Sequence, residues 1–350
     1  MCLYPKVIKN PKFTANKKNG GIIPPVNHKG TMYVPIACKK CLECMKKKSR
    51  EWAIRLKEEL KTTNIKGYFV TLTYSNEAIK ELNDYIEEKE NLAKSYMYHS
   101  NITNKMHEHI EKWKETKGYE RDNRIATVSV RLFLENWRYH KGKSLRHWFT
   151  TELGHEGTEN IHIHGIVWTN EDFEDVRKIW KYGWIYPRIE NVKDNRVNTQ
   201  TINYIIKYVK KQDIKHKNYE PIILCSKGIG AGYKGNNKQD FYTNEKGFRM
   251  GLPMYYRNKI WTEEEREKMW IEKIESNKRF VNGQEVKADD EKTIISLLEE
   301  GQKNSERLGY NKPSDWRKKK YEEERRNTLR NKRIQGSASG GDFVQKYFRV

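Results

Sequence analysis

The segment NIHIHGIVW, residues 160–168, constrains the fold of this chain more than any other stretch. Its β-branched, alternating pattern predicts a strand, in which successive side chains point to opposite faces. His162 and His164 therefore lie side by side on one face, while Ile161 and Ile163 take the other. Two imidazoles on one rigid strand form half of a metal site, and ordinary polar histidines are the alternative interpretation.

A second histidine pair in the same chain serves as a control. His107 and His109, in NKMHEHIEKWKE, have the same spacing but stand in a sequence that predicts a helix. Residues two apart on a helix point about 200° away from each other. We therefore interpret this second pair as solvated surface.

The stretch TINYIIKYVKK, residues 201–211, has the periodicity of a helix with two different faces. The aliphatic face comprises Ile202, Ile205, Ile206 and Val209. The opposite face carries two phenols and two ammonium groups, those of Tyr204, Lys207, Tyr208 and Lys211. The aliphatic face is suited to packing on a sheet, and an ordinary amphipathic surface helix is the alternative interpretation.

The remaining patterns predict an α+β fold. GYFVTLTY, residues 67–74, and RHWFTTEL, residues 146–153, read as strands, and the short loop after the second one predicts antiparallel pairing with the histidine strand. Residues 76–120 are polar and helix-like, as expected of an insertion or lid. The sequence thus predicts a central antiparallel sheet with flanking helices.

Three regions are expected along the chain. Residues 1–60 form a cysteine-rich module and a helix, residues 61–262 form the main domain, and residues 263–350 form a basic, largely helical region. QGSASGG, residues 335–341, predicts a flexible linker before a short tail.

The charge balance favours a polyanionic partner. Lys and Arg outnumber Asp and Glu by 69 to 47, a net charge of +22, so nucleic acid is the leading candidate. No apolar run is long enough to span a membrane, and MCLYPKVIKN lacks the apolar core of a signal peptide. Five cysteines, an odd number, do not suggest a secreted disulfide framework, so we expect a reducing cytoplasm.

Three motifs together resemble those of the HUH endonucleases, which nick single-stranded DNA through a tyrosine. FVTLTY (69–74), IHIHGIVW (161–168) and YIIKYVKK (204–211) occur in the order of that superfamily's motifs. The segments MCLYPKVIKN, KKKSREWAIRL, CSKGIGAGY and LPMYYRNKIW extend the likeness to the rolling-circle replication initiators of microviruses, small circular single-stranded DNA phages. The resemblance covers residues 1 to about 262.

This resemblance implies the chemistry. Tyr204 and Tyr208 are both candidate nucleophiles that form a 5′-phosphotyrosine, free a 3′-OH primer and later rejoin the strand, and Lys207 and Lys211 are candidates to lower a phenol pKa or to bind phosphate. The implied partners are the single-stranded DNA origin of a small circular genome and host replication proteins, in the cytoplasm of a bacterial host.

The resemblance also implies a catalytic divalent ion. His162, His164 and Glu152 are the candidate ligands, with Glu152 supplied by the neighbouring strand. The ion would neutralise phosphate oxygens that otherwise repel an attacking oxyanion. The family implies Mg²⁺ or Mn²⁺, whereas imidazole ligands alone suit Zn²⁺ equally well.

The cysteines predict a second metal site. Cys38, Cys41 and Cys44 follow a C-x2-C-x2-C spacing, and Cys2 is the best candidate for a fourth ligand of a structural Zn²⁺. A ferredoxin-type cluster would require a cysteine at position 48, which is Lys48. Unligated thiols are the alternative.

Two rival functions stay open from the sequence. An HUH transposase or conjugative relaxase would share the chemistry but act on other DNA. A non-catalytic, zinc-stabilised DNA-binding protein would need only the basic clusters around the cysteines and at residues 317–333, where nine Lys or Arg accompany three Glu.

Overall fold

The computed structural model describes residues 1–155, 159–187, 195–211, 213, 215–235, 238–310, 312–314 and 319–336, without the side chains of 319, 320, 333 and 336. Its helices are α1 Leu42–Thr62, α2 Asn76–Tyr96, α3 Asn104–Lys112, α4 Gly118–Lys141, α5 Phe173–Ile179, α6 Thr199–Lys210, α7 Met254–Ile260, α8 Glu263–Glu275, α9 Glu291–Arg307 and α10 Lys319–Gly336. Its strands are β1 Lys6–Lys9, β2 Tyr33–Ile36, β3 Gly67–Leu72, β4 Arg146–Leu153, β5 Ile161–Trp168, β6 Ile185–Tyr186, β7 Ile223–Cys225, β8 Phe241–Thr243, β9 Arg249–Gly251, β10 Lys278–Val281 and β11 Gln284–Lys287.

The chain divides into two compact units. The cysteine unit comprises Met1–Thr62, Val209–Lys217 and Gly230–Trp316, and the sheet unit comprises Thr63–Tyr208, Asn218–Ile229 and Arg317–Val350. Both units are therefore built from segments that are distant in sequence. The three consecutive regions expected from the sequence do not follow these divisions.

The sheet unit is centred on five antiparallel strands in the order β6-β3-β5-β4-β7. The predicted antiparallel pairing of β4 with β5 is present, with Glu152 opposite His162 and Thr150 opposite His164. On the other side of β5, His164 lies opposite Thr71 of β3. The histidine strand therefore occupies the centre of the sheet, and the predicted α+β class is confirmed.

The alternation of β5 separates two buried faces. Ile161, Ile163 and Val167 join the main core of the unit, which α2, α4 and α5 cover with residues such as Ile86 and Phe133. The segment predicted as an insertion or lid thus supplies a core helix, α2. The opposite face, which we call the histidine face, carries the side chains of His162 and His164.

Gly165 shows how tightly the central strands are packed. A Cβ atom built there would lie 2.2 Å from Phe149 Cδ1 and 2.4 Å from the carbonyl oxygen of Trp148. Any larger residue would push β4 away from β5. Glycine beside His164 therefore permits the close strand approach that fixes the histidine face.

Helix α10 packs on α4 and α2 within the sheet unit. The Arg326 side chain is 2% exposed and donates to the Asp122 carboxylate at 2.7 and 3.3 Å and to the carbonyl oxygen of Glu159 at 2.7 Å. Arg330 is also buried and lies 3.2 Å from the same Asp122 carboxylate. These arginines of the basic 317–333 cluster therefore bind carboxylates of their own chain, and are not exposed as a DNA-binding surface requires.

The cysteine unit contains three small hairpins and several helices. β1 pairs with β2, β8 with β9 and β10 with β11, all antiparallel. One core cluster joins Ile54 of α1 to Tyr256 and Trp261, and another joins Leu3 and Cys41 to Tyr310. The N-terminus is thereby packed against residues around α9, some 300 positions later.

Some boundaries differ from the sequence-based expectations. Helix α5 begins after Asp172, whose carboxylate accepts from the Glu174 N–H, rather than after Thr169 or Asn170. β6 has only two residues, and the remainder of the strand predicted there falls partly on residues 188–194, outside the described residues, as does nearly all of the predicted linker and the tail. Among described residues, no helix has the length and apolar character that crossing a bilayer requires.

Candidate functional site

Glu152 and His164 form the centre of the candidate site. His164 Nε2 lies 2.8 Å from Glu152 Oε2, and Thr71 Oγ1 lies 3.0 Å from His164 Nδ1. The carboxylate can only accept when ionised, so Nε2 donates to it and Nδ1 accepts from the threonine hydroxyl. Both nitrogens of His164 are thus engaged, and the ring orientation is fixed by the strands on both sides.

His162 stands directly across from Glu152 on the same face. Burial, followed by the proximity of His164, holds the pKa of His162 below its ordinary value. A lowered pKa keeps the imidazole neutral, which is the protonation state that ligates metal ions. The structure therefore places the three predicted metal ligands on one face of two adjacent strands.

The helix α6 carries both candidate tyrosines, as predicted. Its aliphatic residues, Ile202, Ile205, Ile206 and Val209, are all buried. Tyr204 and Tyr208 lie on the other side, one turn apart, and their hydroxyl groups are 2.8 Å from each other. The amphipathic pattern read from the sequence is therefore the pattern of burial in the structure.

Tyr208 connects the helix to the metal-ligand candidates. Its ring stacks on the His164 imidazole, with centroids 4.1 Å apart and planes inclined by 13°. The Tyr204 ring meets Phe69 of β3 edge-on, with centroids 5.8 Å apart. These contacts fix α6 over the histidine face and bring both phenols beside His164.

The two phenols have different environments. Tyr204 is 48% exposed, whereas Tyr208 is partly buried. Burial, the hydrogen bond with Tyr204 and the charge of Glu152 raise the pKa of Tyr208 above the ordinary phenol value. Tyr208 therefore holds its proton until a group of opposite charge approaches.

The two candidate lysines differ in position. Lys207 is exposed, and its Nζ lies 5.8 Å from the centroid of the Tyr204 ring. Lys211 is exposed and follows the last residue of α6. Only Lys207 is thus placed next to a candidate nucleophile by the contacts of the sheet unit.

The His-Glu set is not assembled as a closed metal cage. Among the described residues, one group of three or more His, Cys, Asp or Glu has its ligand atoms all within 4.8 Å of one another, and that group is the cysteine cluster of Cys2, Cys38, Cys41 and Cys44. His162, His164 and Glu152 do not reach this mutual distance. Their donor types nevertheless suit a divalent ion, since imidazole and carboxylate are common ligands of Mn²⁺ and related metals.

The cysteine cluster has the dimensions of a tetrahedral site. Zn–S bonds of about 2.3 Å separate the sulfurs of such a site by about 3.8 Å, and Cys38 Sγ lies 3.9 Å from Cys44 Sγ. None of the cysteines forms a disulfide. The predicted grouping of Cys2 with the three spaced cysteines is confirmed.

Backbone groups support the cluster. The amides of Leu3, Cys38 and Cys41 donate to Sγ atoms of Cys41, Cys2 and Cys38 at 3.4, 3.2 and 3.3 Å. Such donors stabilise the thiolate form that a metal requires. Nearby, Gln302 of α9 donates to the Leu3 carbonyl oxygen at 2.9 Å, which fixes the segment that carries Cys2.

Sequence reasoning missed the role of Thr71 beside His164. Thr71 lies within FVTLTY, the first motif, and its position opposite His164 required the β3–β5 register. The buried arginines of α10 were also missed, because a run of basic residues looks the same in sequence whether it faces solvent or carboxylates.

Comparisons with known proteins agree with this geometry. Residues 112–213 match the family model of the replication-associated protein ORF2. The chain is also 25% identical over 259 residues to the replication-associated protein ORF2 of Spiroplasma virus 4, which covers 65% of this chain and 69% of that protein. No solved structure matches the chain. The matched family segment contains Glu152, both strand histidines and both tyrosines of α6, and the chain is a member of the replication-associated protein ORF2 family.

Proposed function

We propose that this protein initiates rolling-circle replication by nicking single-stranded DNA at an origin and later rejoining it. The observation that carries the proposal is the stacking of Tyr208 on His164 while its hydroxyl bonds to Tyr204. Two candidate nucleophiles and two candidate metal ligands, His164 and Glu152, thus lie on one face of the sheet unit.

The proposed step is a transesterification. A tyrosine Oη forms a bond to the scissile phosphorus while the bond from phosphorus to the 3′ oxygen breaks. The phenol proton passes to the neighbouring phenol or to water, and the departing oxygen takes up a proton to become the 3′-OH primer. A phenol with an ordinary pKa of about 10 is a good leaving group, so the 3′-OH can reverse the step when the strand is rejoined.

The residues His162, His164 and Glu152 would hold a divalent ion, Mg²⁺ or Mn²⁺. When bound, such an ion neutralises the phosphate charge that opposes an oxygen nucleophile. To act as a ligand, His164 Nε2 must offer its lone pair, so the ring proton moves to Nδ1. Thr71 Oγ1, at 3.0 Å, is in place to accept it.

The paired phenols support alternating use of the two tyrosines. With hydroxyls 2.8 Å apart, both can reach nearly the same phosphate position. One tyrosine would hold the 5′ end while the other cuts after a full circle. Lys207 would contribute positive charge next to Tyr204, and Lys211 would bind phosphate farther along the strand.

The cysteine cluster is proposed to hold one structural Zn²⁺. Four thiolates in a tetrahedral arrangement leave no open position for a substrate. The ion would tie the N-terminus to α1 inside the cysteine unit. We place the activity in the cytoplasm of a bacterial host, together with host replication proteins.

The experiment is a covalent adduct assay. Single-stranded oligonucleotides that tile the cognate genome are incubated with the full chain and Mn²⁺, and denaturing electrophoresis reports SDS-resistant protein–DNA adducts. We expect one tile to react. Tyr204→Phe and Tyr208→Phe should each leave some adduct, and the double variant should leave none.

Tyr139→Phe is the matched control, because Tyr139 is 86% exposed on α4. It should react like the wild type. No adduct on any tile, with binding retained, would favour a non-catalytic DNA-binding protein, and an adduct that survives the double change would exclude α6 as the source of the nucleophile. A nick that does not map to one position on the circular genome would favour a transposase or relaxase.

A further inference from the structure

Two large aromatic side chains are exposed at the edge of the sheet. Trp184 is 84% exposed and Tyr186 is 50% exposed, and both belong to the β6 edge beside β3. Single exposed apolar residues are common on protein surfaces. These two are spaced i, i+2 along an extended segment, so their side chains point to the same face. We call this pair the aromatic platform.

The register shows which face that is. Tyr186 lies directly opposite Thr71, and Thr71 lies directly opposite His164. Directly opposite residues of neighbouring strands share a face. The aromatic platform therefore belongs to the histidine face, and Tyr186 lies two strand spacings, about 10 Å, from His164.

Trp184 is anchored through its backbone. The Thr73 N–H donates to the Trp184 carbonyl oxygen at 2.9 Å, and the Trp184 N–H donates to Thr73 Oγ1 at 2.9 Å. Gly183 allows this approach, since a Cβ there would lie 2.4 Å from the Thr73 carbonyl oxygen. The exposed indole is thus carried on a fixed backbone, which lowers the entropy lost when a ligand binds.

The surrounding sequence is basic. From residue 180 to residue 211, which runs from the platform to the tyrosine helix, there are seven Lys or Arg and two acidic residues. Lys207 and Arg196 of this stretch are exposed, and Arg196 bridges to Tyr68 on the same edge of β3. Aromatic planes beside positive charge are the combination that binds single-stranded nucleic acid.

We propose that the aromatic platform stacks unpaired bases of single-stranded DNA next to the scissile phosphate, with Trp184 as the main contact. This inference rests on the proposed function and adds a binding subsite to it. The occupant is a single strand, because bases in a duplex have no free face to offer to an indole. The platform would hold the strand two sheet positions away from His164.

The test measures DNA binding without chemistry. In the Tyr204→Phe/Tyr208→Phe background, which forms no adduct by proposal, anisotropy of a fluorescein-labelled oligothymidine reports the dissociation constant. Base stacking on one aromatic ring contributes about 1–3 kcal/mol, so Trp184→Ala should weaken binding roughly 5- to 100-fold. Trp184→Phe should restore most of the affinity, and Tyr186→Ala should have a smaller effect than Trp184→Ala.

Tyr139→Ala, which removes an exposed aromatic ring from α4, should bind like the parent. Unchanged affinity in Trp184→Ala and Tyr186→Ala would overturn the proposal, as would an equal loss for double-stranded DNA of the same length. A change in oligomeric state on size-exclusion chromatography with unchanged DNA affinity would instead assign the platform to a second copy of the chain. In the catalytically intact chain, Trp184→Ala should raise the DNA concentration for half-maximal adduct formation, whereas failure of the proposed nicking would abolish adducts without affecting the anisotropy series.

Discussion

The two candidate metal sites of this protein differ in how completely their ligands are assembled. The four sulfurs of the cysteine cluster lie within 4.8 Å of one another, and backbone amides already donate to three of them. On the histidine face, Glu152 and His164 are bonded to each other, and His162 stands across from Glu152 without completing a comparable group.

This difference corresponds to two uses of a metal ion. A structural ion needs all its ligands in place, since binding is then part of folding. A catalytic ion needs an open position for substrate. The comparison teaches that the cysteine unit is organised around a closed site, whereas the sheet unit fixes its ligands through strand register and leaves room beside two phenols.

The largest expected effect is loss of the cysteine cluster. Cys41→Ser removes a buried ligand, and structural zinc contributes roughly 10 kcal/mol to folding. We expect about one equivalent of zinc to disappear in elemental analysis, together with the cooperative thermal unfolding of the cysteine unit. Cys225→Ser, on β7 and outside the cluster, is the control. Zinc-free wild-type protein purified anaerobically would contradict the closed site.

Chelation should separate the two sites. Brief EDTA treatment should lower adduct formation about a thousandfold, because a catalytic ion contributes several kcal/mol to the transition state. Added Mn²⁺ should restore the activity, while circular dichroism and bound zinc stay unchanged. An irreversible loss that follows zinc release would remove the distinction between the sites.

His164→Ala should act on chemistry more than on folding. Loss of the imidazole removes one proposed ligand and the stacking partner of Tyr208, so we expect adduct formation to fall roughly 100-fold, equivalent to about 3 kcal/mol. The control is His107→Ala, from the helical histidine pair of the same spacing. Equal activity of the two variants would show that the strand position of His164 is irrelevant.

Thr71→Val tests the smallest part of the open site. It removes the hydroxyl 3.0 Å from His164 Nδ1 while keeping the side-chain shape. Loss of such a partner to a ligating histidine lowers metal affinity about tenfold. The Mn²⁺ concentration for half-maximal adduct formation should rise by that factor, and Thr127→Val on α4 should leave it unchanged.

Much of this arrangement was predictable from periodicity. The period-two pattern of β5 placed Ile161 and Ile163 in the core and both histidines on the other face, and the helical period of α6 separated its buried aliphatic side from Tyr204 and Tyr208. The C-x2-C-x2-C spacing with Cys2 anticipated the cysteine cluster. Local patterns succeed here because each is carried by one element or by short-range spacing.

Features that depend on register or on distant segments could not be read in this way. Thr71 acquires a role only because β3 pairs with β5 in one register. Arg326 lies in a run of basic residues, and only its pairing with Asp122, 204 positions earlier, distinguishes a buried ion pair from a solvated charge. The aromatic platform became visible only when the position of β6 at the edge of β3 was known.

The most direct test of the central claim is to identify the residue that carries DNA. The trapped adduct can be digested with nuclease and trypsin, and mass spectrometry can locate the remaining nucleotide. Trypsin cleaves after Lys207, which separates Tyr204 from Tyr208 on different peptides. The account predicts a 5′-phosphonucleotide on one or both of these tyrosines, and a nucleotide attached to any other residue, with both tyrosine peptides unmodified, would contradict it.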